Sequence, residues 1–445
     1  MLVALAFVCA LALPGCETAF DRHRNVLADY RAQGRFEEAA ATLDDPKTLR
    51  LYGDKDRLLW LLDRGTAALA VGDADGALRR WEEAERRMED RRKENAGDVA
   101  AALLLNDSAR NYLGEPYEDM YLNVFKMLAQ LEAGRIENGA MVEARRVAIK
   151  ADVLREEYLK MRPVAEKAAG VSAGEATDGA SGFALDTKGE FVESPLGVYL
   201  TAAVFRAAGE EELRKVAARR LKQVIEAQGN VVGDVDPRVV GDAEQQTRPT
   251  TSEMDVLIVA FAGRGPRKVP VRIPPLVIAG VPVYTELPVL RWEESVARSA
   301  RAVVDVRGRR EIVELGLVEE MGRVAAENHR RQLPLIYLRT IVRAGAKSAA
   351  LAVGSHAAGR SGGNGAQLGV ALAGLAILLA TEKADLRCWE LLPGRAFVGM
   401  TRVPVGEASV RVEWESAGGR VVYGEEVRTR AGEHGLATVV GWFWD

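Results

Sequence analysis

Between Leu58 and Asp90 the chain carries two apolar patterns of helical period, Leu58–Val71 and Ala74–Met88, on either side of Gly72-Asp73. A glycine that stops one helix and an aspartate that starts the next make this break a tight turn between antiparallel helices. Small residues recur inside the pair. Gly65 and Ala77 allow the two helices to touch, Trp81 fills the groove between them, and Ala84 leaves room for a following helix. One hairpin of this kind cannot bury its own apolar face, so the pattern predicts neighbours stacked upon it.

The neighbours are visible. Between Phe20 and Leu43, Tyr30, Gly34 and Ala39 keep the spacing that Ala68, Gly72 and Ala77 show one repeat later. An apolar helix around Val99–Leu105 and a Gly114/Pro116 turn lead to a third hairpin, Tyr117–Glu132 and Glu137–Tyr158. A fourth, Pro195–Ala208 and Glu210–Ala227, breaks at Gly209. The small and aromatic positions Gly65, Gly72, Ala77, Trp81 and Ala84 resemble the tetratricopeptide repeat (TPR). Residues 16–228 therefore read as a TPR-like solenoid with a concave docking face, interrupted by an aperiodic loop at 168–190. On the third hairpin, Arg145 and Arg146 belong to a solvated face, pair with acids of a neighbouring repeat, or hold a partner peptide.

The chain begins with an apolar run, Met1–Leu13, closing on Leu13-Pro14-Gly15-Cys16. The run is short of the about 20 residues of a spanning helix, and its ending resembles a bacterial lipoprotein signal. That resemblance implies removal of residues 1–15 and lipid on Cys16, with each buried CH₂ worth about 0.8 kcal/mol of membrane attachment. Glu17 stands where an aspartate commonly marks retention in the inner membrane, which points to the periplasmic face of the outer membrane.

Beyond 229–253, which reads as a linker, the pattern changes from helical to extended. Met254–Ala262 is a continuous β-favouring run, and Val269–Ile273, Val277–Ile278, Val281–Leu287 and Ser299–Val306 are short strand patterns separated by prolines. Helical pattern returns at Glu311–Arg330 and Leu335–Gly354, and alternation resumes with Ala408, Val410, Val412 and Trp414. Residues 254–445 thus form an expected α+β domain, β-sandwich-like, with strands around 254–306 and 396–445 and inserted helices around 311–384. Three features in it invite a ligand. The turn Gly263–Lys268 is a solvated hairpin tip or an anion site built on Arg264, Arg267 and Lys268. Arg339, Arg343 and Lys347 lie on one helix face toward acids of the sheet, water or lipid phosphate. The apolar run Ala366–Ala380 is a core helix, or a contact with lipid or with a second copy.

Composition narrows the function classes. A formal charge of −4 over 445 residues, with acids and bases interspersed and only 6% aromatic residues, offers nothing to a nucleic acid. Cys9, Cys16 and Cys388 cannot make a disulfide framework, and Cys388 beside Trp389 reads as a buried small hydrophobe. His23, His329, His356 and His434 lack ligand spacing, so neither metal nor cofactor is expected. The Gly-x-Ser-x-Gly spacing occurs at Gly170–Gly174 and Gly359–Gly363 only in stretches that read as loops, not on a strand-to-helix elbow, and no His-Glu-x-x-His motif or assignable acid pair marks an enzyme.

In their order along the chain, the lipidation box, the turn Tyr112–Glu118, the run Val142–Arg146, the strand and turn Asp255–Lys268, the helix Leu335–Lys347 and the segment Thr381–Pro393 resemble a family of uncharacterised bacterial envelope lipoproteins with TPR-like N-terminal halves. That resemblance implies a lipid-anchored, non-enzymatic scaffold for other envelope proteins, engaged in cell-wall or envelope assembly. An oligomeric secretion or pore component is the alternative, and an envelope hydrolase a further one.

Overall fold

A computed structural model describes residues 19–95, 111–175, 191–245, 247–272, 276–278, 281–283, 286–334, 336–337 and 384–445. Its first half is helical: α1 (Ala19–Ala32), α2 (Phe36–Asp44), α3 (Pro46–Tyr52), α4 (Arg57–Ala70), α5 (Ala74–Asn95), α6 (Pro116–Glu132), α7 (Met141–Glu175), α8 (Pro195–Ala208), α9 (Glu211–Val232) and α10 (Pro237–Glu244). The α4–α5 turn forms as its residues dictate. Gly72 takes the left-handed conformation (φ +79°), and Asp73 caps α5 by accepting the Gly76 N–H at 2.8 Å. Ala77, Trp81 and Ala84 are fully buried.

Gly65 sets the spacing of that pair, because a Cβ there would overlap the Trp81 indole, whose Nε1 donates to the Leu62 carbonyl at 3.3 Å. Gly65→Ala is expected to destabilise the protein by about 2 kcal/mol through overpacking. Urea unfolding checks this: a midpoint unchanged from the wild type would mean the helices can part without loss.

The stretch 229–253 is not a bare linker. It holds the end of α9 and all of α10, which starts at Asp236-Pro237, where Asp236 accepts the Arg238 N–H at 2.9 Å. Asp-Pro is a helix start rather than a loop signal when a buried face follows, and Val239 and Ala243 supply that face.

The second half contains strands β1 (Glu253–Arg264), β2 (Arg267–Arg272), β3 (Leu276–Ile278), β4 (Val281–Val283), β5 (Glu286–Arg291), β6 (Ser299–Val306), β7 (Arg309–Glu319), β8 (Pro393–Pro404), β9 (Glu407–Glu415), β10 (Val421–Arg430) and β11 (Leu436–Phe443). Helix α11 spans 321–334. Seven strands make one sheet in the order β10-β9-β6-β7-β8-β1-β11, antiparallel except where β1 runs parallel to β11. The sheet curls until its two edges meet. There Thr429 Oγ1 donates to the Thr438 carbonyl at 3.2 Å, and the Trp442 N–H donates to Glu425 Oε2 at 2.7 Å.

The expected β-sandwich is therefore replaced by a single, nearly closed, barrel-like sheet. The reason lies in side-chain size. Ala260, Ala262, Ala300, Ala302, Ala408 and Ala437 belong to its interior core, with Phe397 and Trp414 filling the space that remains. Small inward residues let one sheet wrap on itself where large ones would hold two sheets apart. A second correction concerns Glu311–Arg330, expected as one helix. Residues up to Glu319 are strand β7, joined to β6 by Arg307-Gly308, both at positive φ.

Strand β1 is buried on both faces and ties the two halves together. Val256, Ile258 and Ala260 point into the barrel, while Leu257, Val259 and Phe261 join the helical core. Phe125 of α6 stacks on Phe261 with ring centroids 5.4 Å apart, and Trp442 lies 4.8 Å from Phe261. The helices and the outer face of the sheet share one apolar core, and the barrel interior is a second. Among the described residues no helix is long and apolar enough to cross a membrane.

Candidate functional site

Helices α4 and α6 leave a trough between them. The chain's own segment 384–392 occupies it. The Trp389 N–H donates to Glu118 Oε1 at 2.6 Å, its indole Nε1 donates to Thr66 Oγ1 at 2.9 Å, and the Leu391 N–H donates to Asp63 Oδ1 at 2.9 Å. The Trp389 ring meets Phe125 at 5.5 Å and Trp81 at 6.3 Å. Arg387 is clamped by Asp385 and, at 2.5 Å, by Asp56, and Glu390 pairs with Arg24. An extended strap whose backbone donors end on buried carboxylates is a fixed part of the core.

Around the strap is a buried polar junction. Glu118 also accepts the Tyr112 hydroxyl at 2.6 Å and the Glu115 N–H at 2.9 Å. Burial and the neighbouring Glu115 charge push its carboxyl up to about 7 in spite of these donors. Glu115 itself, although buried, is held well below the usual carboxylate range by the Lys268 ammonium and by His329. His329 Nε2 donates to the Pro288 carbonyl at 2.9 Å, while Nδ1 faces Glu115 Oε2 at 3.5 Å. Burial, with Glu390 nearby, raises the Cys388 thiol far above its ordinary value, so Cys388 is an inert packing residue. Among the described residues, no group of three or more His, Cys, Asp or Glu side chains could hold a metal ion.

An open groove of about 450 Å³ lies elsewhere on the helical half, between α5 and α7. Glu82, Glu85, Arg86 and Glu89 line one wall and Arg146, Ile149, Lys150 and Val153 the other. A rigid ionic network lies beneath it: Lys126 Nζ bonds Glu85 at 2.6 Å and Glu143 at 3.0 Å, Arg146 donates to Glu143 at 2.8 Å, and Lys150 donates to Asp119 at 2.9 Å. Burial works against ionisation of Glu85, yet bonds from Lys126 and Asn123 hold its carboxyl below the ordinary range. Arg146 and Lys150 are thus already neutralised, whereas among the described residues Glu82, Arg86 and Glu89 have no ion pair, and Ile149 leaves 64% of its surface in water. Such a surface can receive a side chain; it holds no arrangement of nucleophile and base.

The ligand candidates of the sequence scatter. Arg146 lines the groove, and Arg145, one residue away, is exposed on the same helix. Arg264, Arg267 and Lys268 turn to separate partners: Arg264 donates to the Asp445 carbonyl at 2.9 Å, Arg267 to Asn25 at 3.2 Å, and Lys268 pairs with Glu115. Of the packing residues, Ala39 is fully buried, Gly34 turns at φ +66°, and half-buried Tyr30 carries the Arg35 guanidinium 4.8 Å above its ring. Cys16, Arg339, Arg343, Lys347 and the run Ala366–Ala380 lie outside the described residues.

Sequence reasoning missed Asp63, Thr66 and Glu118, the residues that hold the strap. The signal existed: Asp63 and Thr66 interrupt an otherwise apolar helix, and a polar side chain on a buried face needs a partner from elsewhere. Glu115-Pro116-Tyr117-Glu118 is likewise a capping box, read only as a turn. Comparison with known proteins adds nothing to the site, since no family model, no curated protein and no solved structure matches the chain.

Proposed function

We propose that this chain is a lipid-anchored envelope protein that acts as a non-enzymatic scaffold, its TPR-like hairpins presenting a docking surface to other envelope proteins. The open α5–α7 groove carries the reading. It joins exposed apolar surface to charged side chains of both signs, Glu82, Arg86 and Glu89, over a floor of ion pairs, an arrangement that suits recognition of a partner's side chains. The box Leu13-Pro14-Gly15-Cys16 supports attachment through lipid on Cys16, and the order of motifs shared with TPR-like envelope lipoproteins supports the cellular setting.

The groove relocates the docking surface. Stacked hairpins ordinarily offer their trough, but here residues 384–392 fill it. A partner meets the α5–α7 side instead. The test is photocrosslinking in intact cells from position 149, compared with a Cys16→Ala chain. The scaffold reading expects discrete protein adducts from position 149 and release of the Cys16→Ala chain from the membrane fraction. Absence of any discrete adduct from the helical half would end the scaffold reading, and retention of Cys16→Ala on the membrane would end the lipid anchor.

A further inference from the structure

We infer that the α5–α7 face closes on a second copy of this chain, in a two-fold dimer built on antiparallel α5 helices; this rests on the reading of that face as a docking surface and names its partner. The charges of α5 sort into two sets. Glu83 pairs with Arg87 and Glu85 is bound by Lys126, whereas Arg79, Glu82, Arg86 and Glu89, all exposed, have no ion pair among the described residues. These four follow one another at intervals of three, four and three residues, which keeps them on one face of the helix. Their signs run plus, minus, plus, minus.

A stripe of this kind is its own complement when reversed. An antiparallel α5 centred on Ala84 sets Arg79 against Glu89 and Glu82 against Arg86, and the two-fold axis repeats both pairs. A parallel copy in register sets like charge on like, and a parallel copy shifted along the helix makes an open-ended contact rather than a closed dimer. Only a second copy carries the matching order and spacing of signs by identity. Beside the stripe, Val142, Ile149 and Val153 of α7, 39%, 64% and 37% exposed, recur on one face at i, i+7 and i+11. The second α5 rests over the groove against Ile149 and Val153. Exposed ion pairs contribute little by themselves, so they fix direction and register while the apolar contact supplies affinity.

The experiment uses the full chain in detergent, followed by sedimentation. The wild type is expected to form a dimer. Arg79→Glu with Arg86→Glu makes the stripe wholly acidic, and Glu82→Arg with Glu89→Arg makes it wholly basic. Each variant alone is expected to dimerise about a hundredfold more weakly, since four pairs turn repulsive, and an equal mixture of the two to recover the dimer. Unchanged thermal melts certify the fold, because every changed position is exposed. Register is read by oxidation: Arg79→Cys mixed with Glu89→Cys gives a disulfide-linked dimer, while Arg79→Cys alone, its two sulfurs about 15 Å apart along the axis, does not. A monomeric wild type, a dimer indifferent to the charge reversals, or a mixture that crosslinks no better than Arg79→Cys alone overturns the inference. Photocrosslinks from position 149 to other envelope proteins, made by a chain that stays monomeric, refute the dimer and leave the scaffold reading standing. Adducts to nothing but a second copy leave the dimer standing and end the docking of other proteins on this face.

Discussion

Glu118→Ala is expected to cost about 4 kcal/mol of folding stability, the largest effect of any single substitution considered for this chain. Its carboxylate receives the Trp389 and Glu115 N–H groups and the Tyr112 hydroxyl, with the Tyr117 hydroxyl at 3.4 Å, all in a site closed to water. Each donor stranded without an acceptor costs about 1–3 kcal/mol, and some recover partners by relaxation, so the sum falls below the maximum. Glu118→Gln fares little better, because the amide turns its N–H groups toward donors. Tyr112→Phe removes one bond and leaves the rest, and should cost about 1 kcal/mol. Urea unfolding gives the ranking Ala ≥ Gln > Phe. Losses within about 0.5 kcal/mol of the wild type, the level of an ordinary surface substitution, would mean that residues 384–392 do not sit in the trough.

Independent domains joined by a linker would tolerate loss of contacts between them. Here Trp389 bonds the helical half from a segment that continues directly into β8, and Glu433 of the β10–β11 connection accepts the Ile136 and Glu137 N–H groups at the start of the third hairpin's second helix. Changes on either side of the junction are therefore expected to lower one common unfolding transition.

The helical hairpins were legible because their signals are local. Gly72, Gly134 and Gly209 each stop a helix at positive φ, and period and turn chemistry agree around them. The curl of the sheet was not legible, since it depends on which alanines of distant strands end up facing one another, and alternation alone is the same in a sandwich and a barrel. Strand β7 escaped because Arg307-Gly308 performs a turn for which Asn-Gly or Asp-Gly is the usual signal, and because β7 passes into α11 with no glycine or proline between Glu319 and Met321. The groove was half legible. The sequence offers Arg146 as a contact, but its pairing with Glu143, like that of Lys150 with Asp119, is set by tertiary packing.

The second large effect is a loss of stability as pH rises from about 4.5 toward 7, which Glu319→Gln should diminish. Glu319 is fully buried at the end of β7, where it accepts the Tyr121 hydroxyl at 2.5 Å, the Ser194 hydroxyl at 2.6 Å and the Leu196 N–H at 3.0 Å. Burial nevertheless pushes its carboxyl up to about 7, and Glu118 and Glu132 behave alike. A raised acid binds its proton more tightly in the folded chain. Its contribution is complete below the unfolded value of 4.5 and is lost as pH passes through the folded value. For Glu319 the change is on the order of 3 kcal/mol, at about 1.4 kcal/mol per pH unit. Glu115, Glu85 and Asp385 are shifted the other way, so stability also falls in acid and the optimum lies near pH 5. Glutamine reproduces the protonated group: its carbonyl accepts from Ser194 and Leu196, and its amide donates to a Tyr121 hydroxyl free to turn toward the Met321 carbonyl, 3.4 Å away. Glu319→Gln should therefore match the wild type at pH 5 and exceed it at pH 8. Denaturation midpoints that run parallel across this range would show that Glu319 is ionised throughout, with its three donors outweighing burial.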